Sequence, residues 1–374
     1  FNPKAQPGQR LGKPHYAAYI LHPQGKPQAI DLGEAESIDK EVKKFRKYLR
    51  NQVPVTQLTL SAKKLDELVM KRVRQLLGDT NNILLSPDAT LNLVPFEALV
   101  DENDQYLVEN YNFTYLTSGR DLLRLQIKYP SQQPPLVLAD PLYKKPGEED
   151  ISQLFSELSF PPLEGTIKEA QAIQELLDIP NERVKTKKQA TEKALKQVKS
   201  PSFLHIATHG FFLDPKESPL GETNVFDNPL LRSGLVFAGV EPRQSGGDDR
   251  IMTAYETTLL NLLGTKLVVL SACDTAVGDI TSGEGIYGLR RALVIAGSES
   301  QVISLWKVSD TATKDLMVGY YKNLKAGQGR SQALHEIQRQ MLQGELKGED
   351  GRLYDHPYYW ASFIPSGDWT PMEF

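Results

Sequence analysis

Leu267–Cys273, LVVLSAC, is the most apolar strand-like run in the chain, and the fold can be read outward from it. Four large aliphatic residues in succession, two of them β-branched, leave neither face of a strand for water. Such a run belongs inside a sheet that is covered on both sides. It ends in small and reactive residues, Ser271, Ala272 and Cys273, followed by Asp274-Thr275 and a glycine-containing stretch through Gly283 and Gly285. Similar runs lie on either side. Leu136–Ala139 (LVLA) ends at Asp140-Pro141, Phe203–Ala207 (FLHIA) leads to His209-Gly210, and Leu235–Phe237 and Val302–Trp306 follow the same pattern. Helical periodicity falls between most of them, at Ile167, Ala170, Ile173 and Leu177, over Glu284–Ala296 and over Thr311–Leu324. Buried strands alternating with amphipathic helices predict an α/β fold with a central, mostly parallel sheet flanked by helices.

The chain ahead of Pro130–Pro135, a segment with three prolines, has a different rhythm. Tyr16–Ile30 is β-rich with a turn at Gly25, and a charged helix is expected from Ile38 to Asn51. A second helix carries Leu65, Leu68, Val69, Val73, Leu76 and Leu77, with Gly78 placed to stop it. Short strands run from Ile83 to Tyr115, and a helix follows with Leu122, Leu123 and Ile127. Two domains are therefore expected, residues 1–133 and 134–374. With 374 residues, 40% hydrophobic and 24% charged, the composition is that of a soluble globular protein with at least one large core. A net charge of −4 supplies no basic field for nucleic acid. No apolar run reaches bilayer length. One cysteine excludes an internal disulfide, and without a signal peptide the expected compartment is the cytoplasm. Phe1 in place of Met marks the chain as a fragment by expectation.

In open α/β sheets, ligands bind beyond the carboxyl ends of the strands. Those ends carry Asp140, His209, Cys273 and Asp310. A cysteine beside aliphatic residues is usually a small core residue, but Cys273 sits past the last large one. His205 and His209, four apart on one extended strand, would be roughly 13 Å from each other, too far to share a metal ion. No set of three or four ligands occurs at metal-binding spacing, so neither metal nor cofactor is expected. His205 reads as a core histidine and His209 as the partner of a thiol. Asp310 also reads as the cap of the helix that starts at Thr311. Arg290-Arg291 reads as a solvated helix face, Tyr358–Trp360 as packing of a late strand, and Glu241–Arg250 as a surface loop.

Four strings in this order, LHIATHGFF (Leu204–Phe212), VVLSACDT (Val268–Thr275), GEGIYGLRRALVIAG (Gly283–Gly297) and SLWKVSDTAT (Ser304–Thr313), resemble the CHAT domain, a caspase-like cysteine peptidase family. HPYYWASFIPSGDW (His356–Trp369) is similar to its closing segment. LLSPDATLNLVPFEAL (Leu84–Leu99) and YLVENYNFTYLTSGRDLL (Tyr106–Leu123) are similar to its amino-terminal lobe. A more distant likeness is to separase. The resemblance implies a caspase-like fold with a degenerate, protease-like first lobe. It also implies a cysteine endopeptidase that acts through a thioester, with Cys273 as nucleophile and His209 as general acid/base. Backbone N–H groups of Gly210 and Cys273 would hold the oxyanion. By similarity with metacaspases, Asp140 and Ser271 line the pocket for the residue before the scissile bond, and strand order adds Asp310. Carboxylates there would favour a basic residue, and the loop holding Arg243 and Arg250 would then be a site of self-processing. Lys307 stands where separases carry an acid. Tetratricopeptide repeats commonly precede the domain, so the implied partners are a protein substrate and a regulatory protein engaging upstream repeats, with no nucleic acid or membrane. The rival reading is a catalytically silent scaffold for protein–protein recognition.

Overall fold

The computed structural model describes residues 12–143, 160–212, 230–238, 250–271, 273–274, 284–306 and 309–374, with only the backbone given for 164, 212, 273–274 and 284–287. The chain divides into two compact units. One runs to Ile83 and takes in Leu93–Asn112; the other comprises Leu84–Asn92 and Phe113–Phe374. Residues 113–133 thus pack within the larger unit.

In the smaller unit, strands β1 (His15–Ile20) and β2 (Gln28–Glu34) form an antiparallel hairpin whose turn uses Gly25 at φ +101°. Helix α1 (Ala35–Arg50) follows. The next apolar periodicity forms two helices, α2 (Val55–Leu68) and α3 (Met70–Leu77), broken at Val69 and ended by Gly78 at φ +59°. Asp66 and Arg74 supply the reason. Eight residues along a straight helix put them about 12 Å apart on the axis, yet Arg74 Nη2 donates to Asp66 Oδ2 at 2.9 Å. The break folds α3 back far enough to close this pair, and the same guanidinium also reaches Glu102.

Strands β3 (Asn82–Leu85), β4 (Asn112–Tyr115), β5 (Leu136–Pro141), β6 (Val184–Lys187) and β7 (Phe203–Ala207) are joined in the main sheet by three later ones. Before those come β8 (His209–Phe212), β9 (Ser233–Val236) and β10 (Ile251–Thr253). Then follow β11 (Leu267–Leu270), β12 (Cys273–Asp274), β13 (Ser300–Ser304) and β14 (Phe363–Gly367). The main sheet has the order β3-β4-β14-β13-β11-β7-β5-β6. It is parallel from β13 through β6, with β14 antiparallel to β13. This is the mixed α/β architecture expected.

Three longer helices flank it: α4 (Glu164–Leu177), α5 (Glu284–Ala296) and α6 (Asp310–Lys325), with α7 (Arg330–Leu342) following α6. Side chains alternate between faces along a strand. Leu138, Ile206 and Leu270 accordingly join one core with Leu293 of α5. His205, in register with Val269 and Val137, faces the other way, toward α4 and α6. Among the described residues, no helix is long and apolar enough to cross a membrane.

The central strands end early. β7 stops at Ala207, and after Thr208 the chain resumes as β8 in a second sheet of order β10-β9-β8-β12; β11 gives way to β12 in the same manner. His205 and His209 therefore lie on strands of different sheets, not on one continuous strand. Three other expectations change. Tyr358–Trp360 lies in a short helix, Pro357–Trp360, where the His356 ring accepts from the Tyr358 N–H at 3.0 Å, and the late strand begins only at Phe363. Arg290 is buried and its Nη2 donates to Asn92 Oδ1 at 2.8 Å; Arg291 alone is solvated. Of the Glu241–Arg250 segment, 241–249 and with them Arg243 lie outside the described residues, and Arg250 is buried, its guanidinium donating to Tyr143 O at 3.4 Å.

Candidate active site

The second sheet brings two of the expected residues side by side. β8 and β12 run parallel with His209 in register with Cys273, and Gly210 with Asp274. Neighbouring strands lie ~4.8 Å apart, so the backbone places the thiol-bearing and imidazole-bearing residues on adjacent strands. The Cys273 side chain lies outside the described part. Gly210 is held on its other side by Leu235.

His209 is fully buried. Its ring is enclosed by Tyr143 and Phe160, with centroids at 4.8 and 5.6 Å. Nε2 lies 2.7 Å from Pro161 O. A carbonyl oxygen can only accept, so Nε2 carries the proton and, in the neutral ring, Nδ1 holds the lone pair. The atom able to take a proton is thereby fixed as Nδ1. The main chain is fixed as well. The His209 N–H donates to Tyr143 Oη at 3.2 Å, Tyr143 Oη is 3.0 Å from Thr208 Oγ1, and Thr208 passes its own proton to Val236 O. One run of hydroxyls ties β8 to β9 at the point where the chain leaves the main sheet.

Ser271 and Asp310 line a common cleft with Gly165, Thr166, Glu169 and Ser304, closed on one side by Phe363. Ser271 Oγ donates to Glu169 Oε2 at 3.2 Å. Behind Glu169 sits His205, whose Nδ1 is 3.1 Å from Tyr321 Oη and whose Nε2 is 3.1 Å from Glu169 Oε1. Burial, with Tyr320 and Glu169 nearby, holds the Tyr321 phenol well above its usual range. The phenol therefore keeps its proton at neutral pH. Asp310 is the first residue of α6, and its carboxylate accepts from the Gly165 N–H at 3.1 Å. It caps the neighbouring helix α4, not the helix it begins.

Asp140 is placed differently. It is buried at the end of β5 with φ +48°, a conformation Asp tolerates better than most residues, and its carboxylate pairs with Lys187 at 2.5 Å. It is not among the residues lining the cleft. Lys307 lies outside the described residues.

Sequence reading did not find Tyr143, Phe160, Pro161 or Glu169. Glu169 had a signal. It falls between Thr166, Ala170 and Ile173 on the buried stripe of α4, where a carboxylate is out of place unless it is paired. Pro161 had none, because it acts through a main-chain oxygen.

The family model for the CHAT domain matches residues 59–368. Among curated proteins, tetratricopeptide repeat protein 28 of Homo sapiens is 25% identical over 317 residues, covering 78% of this chain and 12% of that protein. Its Mus musculus counterpart is 26% identical over 315 residues with the same coverage. The chain thus spans 12% of the length of these relatives. Among solved structures, the Saccharomyces cerevisiae separase–securin complex aligns with TM-score 0.41 and 12% identity over 89% of this chain and 22% of that one. The Arg-specific cysteine proteinase gingipain R aligns with TM-score 0.43 and 11% identity over 90% and 75%.

Proposed function

Since the chain belongs to the CHAT domain family, we propose that it is a caspase-like cysteine endopeptidase working through Cys273 and His209. The observation that carries this reading is the in-register pairing of those two residues on adjacent strands, with His209 Nε2 tied to Pro161 so that Nδ1 is the proton acceptor. Nδ1 takes the thiol proton, and the thiolate attacks the scissile carbonyl carbon. An S–C bond forms, and the negative charge on oxygen is met by backbone N–H donors, of which Gly210 and Cys273 are the candidates. The C–N bond then breaks and the departing amine takes the proton from His209. Water, deprotonated by the same nitrogen, hydrolyses the thioester and frees the acid. Ser271 and Asp310 line the pocket for the residue before the scissile bond, and the substrate is a protein segment extended along this edge.

The test is cleavage of a mixed peptide library by the wild-type chain and by Cys273→Ala, read by mass spectrometry. Cutting by the wild type alone is the expected result. Silence of both, persisting after upstream repeats and partners are added, overturns the reading in favour of a recognition scaffold.

A further inference from the structure

The chain crosses from β4 to β5 along the edge where the parallel strands begin, away from the carboxyl ends that lead to His209 and Cys273. Tyr115 of β4 is in register with Ser366 of β14, and Gly367 of β14 with Ser300, the first residue of β13. From there the chain is tied to one strand start after another. Ahead of β13, Arg124 Nη1 donates to Ser298 O at 2.9 Å, and Lys128 pairs with Glu299 at 3.6 Å and with Asp368. Ahead of β11, Lys266 Nζ donates to Tyr129 O at 2.7 Å and Ser131 Oγ to Gly264 O at 2.8 Å. Ahead of β7, the Gln132 N–H donates to Ser200 O at 2.8 Å.

Leu122, Leu123 and Ile127 were expected on a helix. The helix is a single turn, Asp121–Arg124, and it is Leu125 that goes inward. Leu123 and Ile127 are 68% and 58% exposed, and Leu122 is exposed with them. Neighbouring turns add more. A Cβ on Gly264 would overlap Pro130 O, and one on Gly297 would meet Leu263 Cα at 2.9 Å. The turns ahead of β5, β11 and β13 therefore touch, and they present Leu259 at 73%, Ile295 at 55% and Leu263. A single exposed aliphatic needs no explanation, but six along one edge do.

The exposed charge beside them is basic. Arg120, Lys128, Lys199 next to Asn261, and Arg291 one turn before Ile295 all face water. The acids are already engaged: Asp121 is buried and accepts from the Thr117 N–H, Glu299 and Asp368 lie buried against Lys128, and Glu256 pairs with Lys196 at 3.2 Å. A second copy of the chain would set these cations against their own kind, and lysine is depleted from protein interfaces. A bilayer with anionic headgroups accepts both features. Aliphatic side chains enter its interfacial layer while lysine and arginine reach the phosphates.

We propose that this edge docks on an anionic bilayer surface, with Leu123, Ile127, Leu259 and Ile295 inserted and Arg120, Lys128, Lys199 and Arg291 at headgroup level. This is attachment without a span, and it leaves the edge with His209 and Cys273 open to water. It holds for a peptidase and for a recognition scaffold alike.

The test is co-sedimentation of the chain with vesicles of one part phosphatidylserine to two of phosphatidylcholine, beside phosphatidylcholine alone. Binding to the anionic vesicles should be at least about tenfold tighter and should weaken as salt is raised. Leu123→Glu and Leu259→Glu, on separate turns, should each weaken it at least about tenfold with an unchanged denaturation midpoint; if one is unstable, the other decides. Leu353→Glu, exposed beside Tyr354 and the first turns of α6, should bind as the wild type does. Absence of binding, or binding that neither Leu123→Glu nor Leu259→Glu weakens, overturns the proposal, and equal binding to both vesicles overturns the anionic assignment. A dimer in sedimentation velocity that Leu259→Glu splits, without vesicle binding, gives the edge to a second copy instead.

Discussion

Among the described residues, two aromatic rings and one carbonyl oxygen enclose the imidazole of His209, and the hydrogen bond to Pro161 O sets its tautomer. Replacing His209 with alanine removes the proton acceptor and leaves the main-chain ladder between β8 and β12 able to form. His209→Ala should slow iodoacetamide alkylation of Cys273 at neutral pH by at least about tenfold, because only the thiolate reacts; an unchanged rate would separate His209 from the thiol. The two paired residues, His209 and Cys273, stood out in the sequence because each follows a run of large apolar residues and breaks it with a polar or reactive side chain. The groups that tune them did not. Pro161 contributes an oxygen that every residue possesses, and Tyr143 and Phe160 approach from a segment whose path no periodicity specifies.

At the scale of elements, α4 and α6 meet where Gly165 lies against Asp310. A Cβ at position 165 would overlap Cβ and Cγ of Asp310, and the neighbour is the start of a helix with little room to retreat. Gly165→Ala should cost about 1–3 kcal/mol, the usual penalty of overpacking, read as a lowered midpoint in chemical denaturation; it should also disturb the cleft those helices share. A wild-type midpoint would mean that α6 moves freely there. The strands and long helices were readable from their period, but two boundaries were not. The helix run through Leu77 breaks at Val69 to close a pair eight residues apart, and a tertiary contact of that kind leaves no mark on the local pattern. The run through His209 changes sheets at Thr208, because pairing partners, not propensity, decide where a strand ends.

Across the whole molecule, an ionic cluster lies where β11 and β13 begin and β14 ends. Arg330 is buried with Asp368, Nη2 to Oδ2 at 2.7 Å, and also donates to Lys266 O and Thr370 O. Burial pushes the Asp368 carboxyl up, but Arg330, Lys128 and Thr370 together pull harder, and the net position is below its ordinary value of 3.8. A carboxyl depressed by folding stabilises the native state above its unfolded pKa, and this contribution is lost as pH falls through the folded value. The thermal midpoint should therefore drop as pH is lowered past 4. Asp368→Asn, which leaves Glu299 at 3.5 Å as the carboxylate partner of Arg330, should lose about 1.5–3 kcal/mol at pH 7, the size of a hydrogen bond to a charged group, and show a shallower acid slope. An equal slope in the variant would place the acid sensitivity elsewhere.

The two strand runs that lead to His209 and Cys273 keep the same phase throughout. Leu267 pairs with Phe203 and Cys273 with His209, each partner 64 positions away, so the step from one sheet to the other consumes the same number of residues on both sides. The pairing of Cys273 with His209 is thus a matter of counting. One residue added after Ala207 would set His209 opposite the wrong neighbour, and one added after Leu270 would do the same to Cys273. Both additions together would bring the two back into step, so that the length of either crossing has meaning only as a difference from the other.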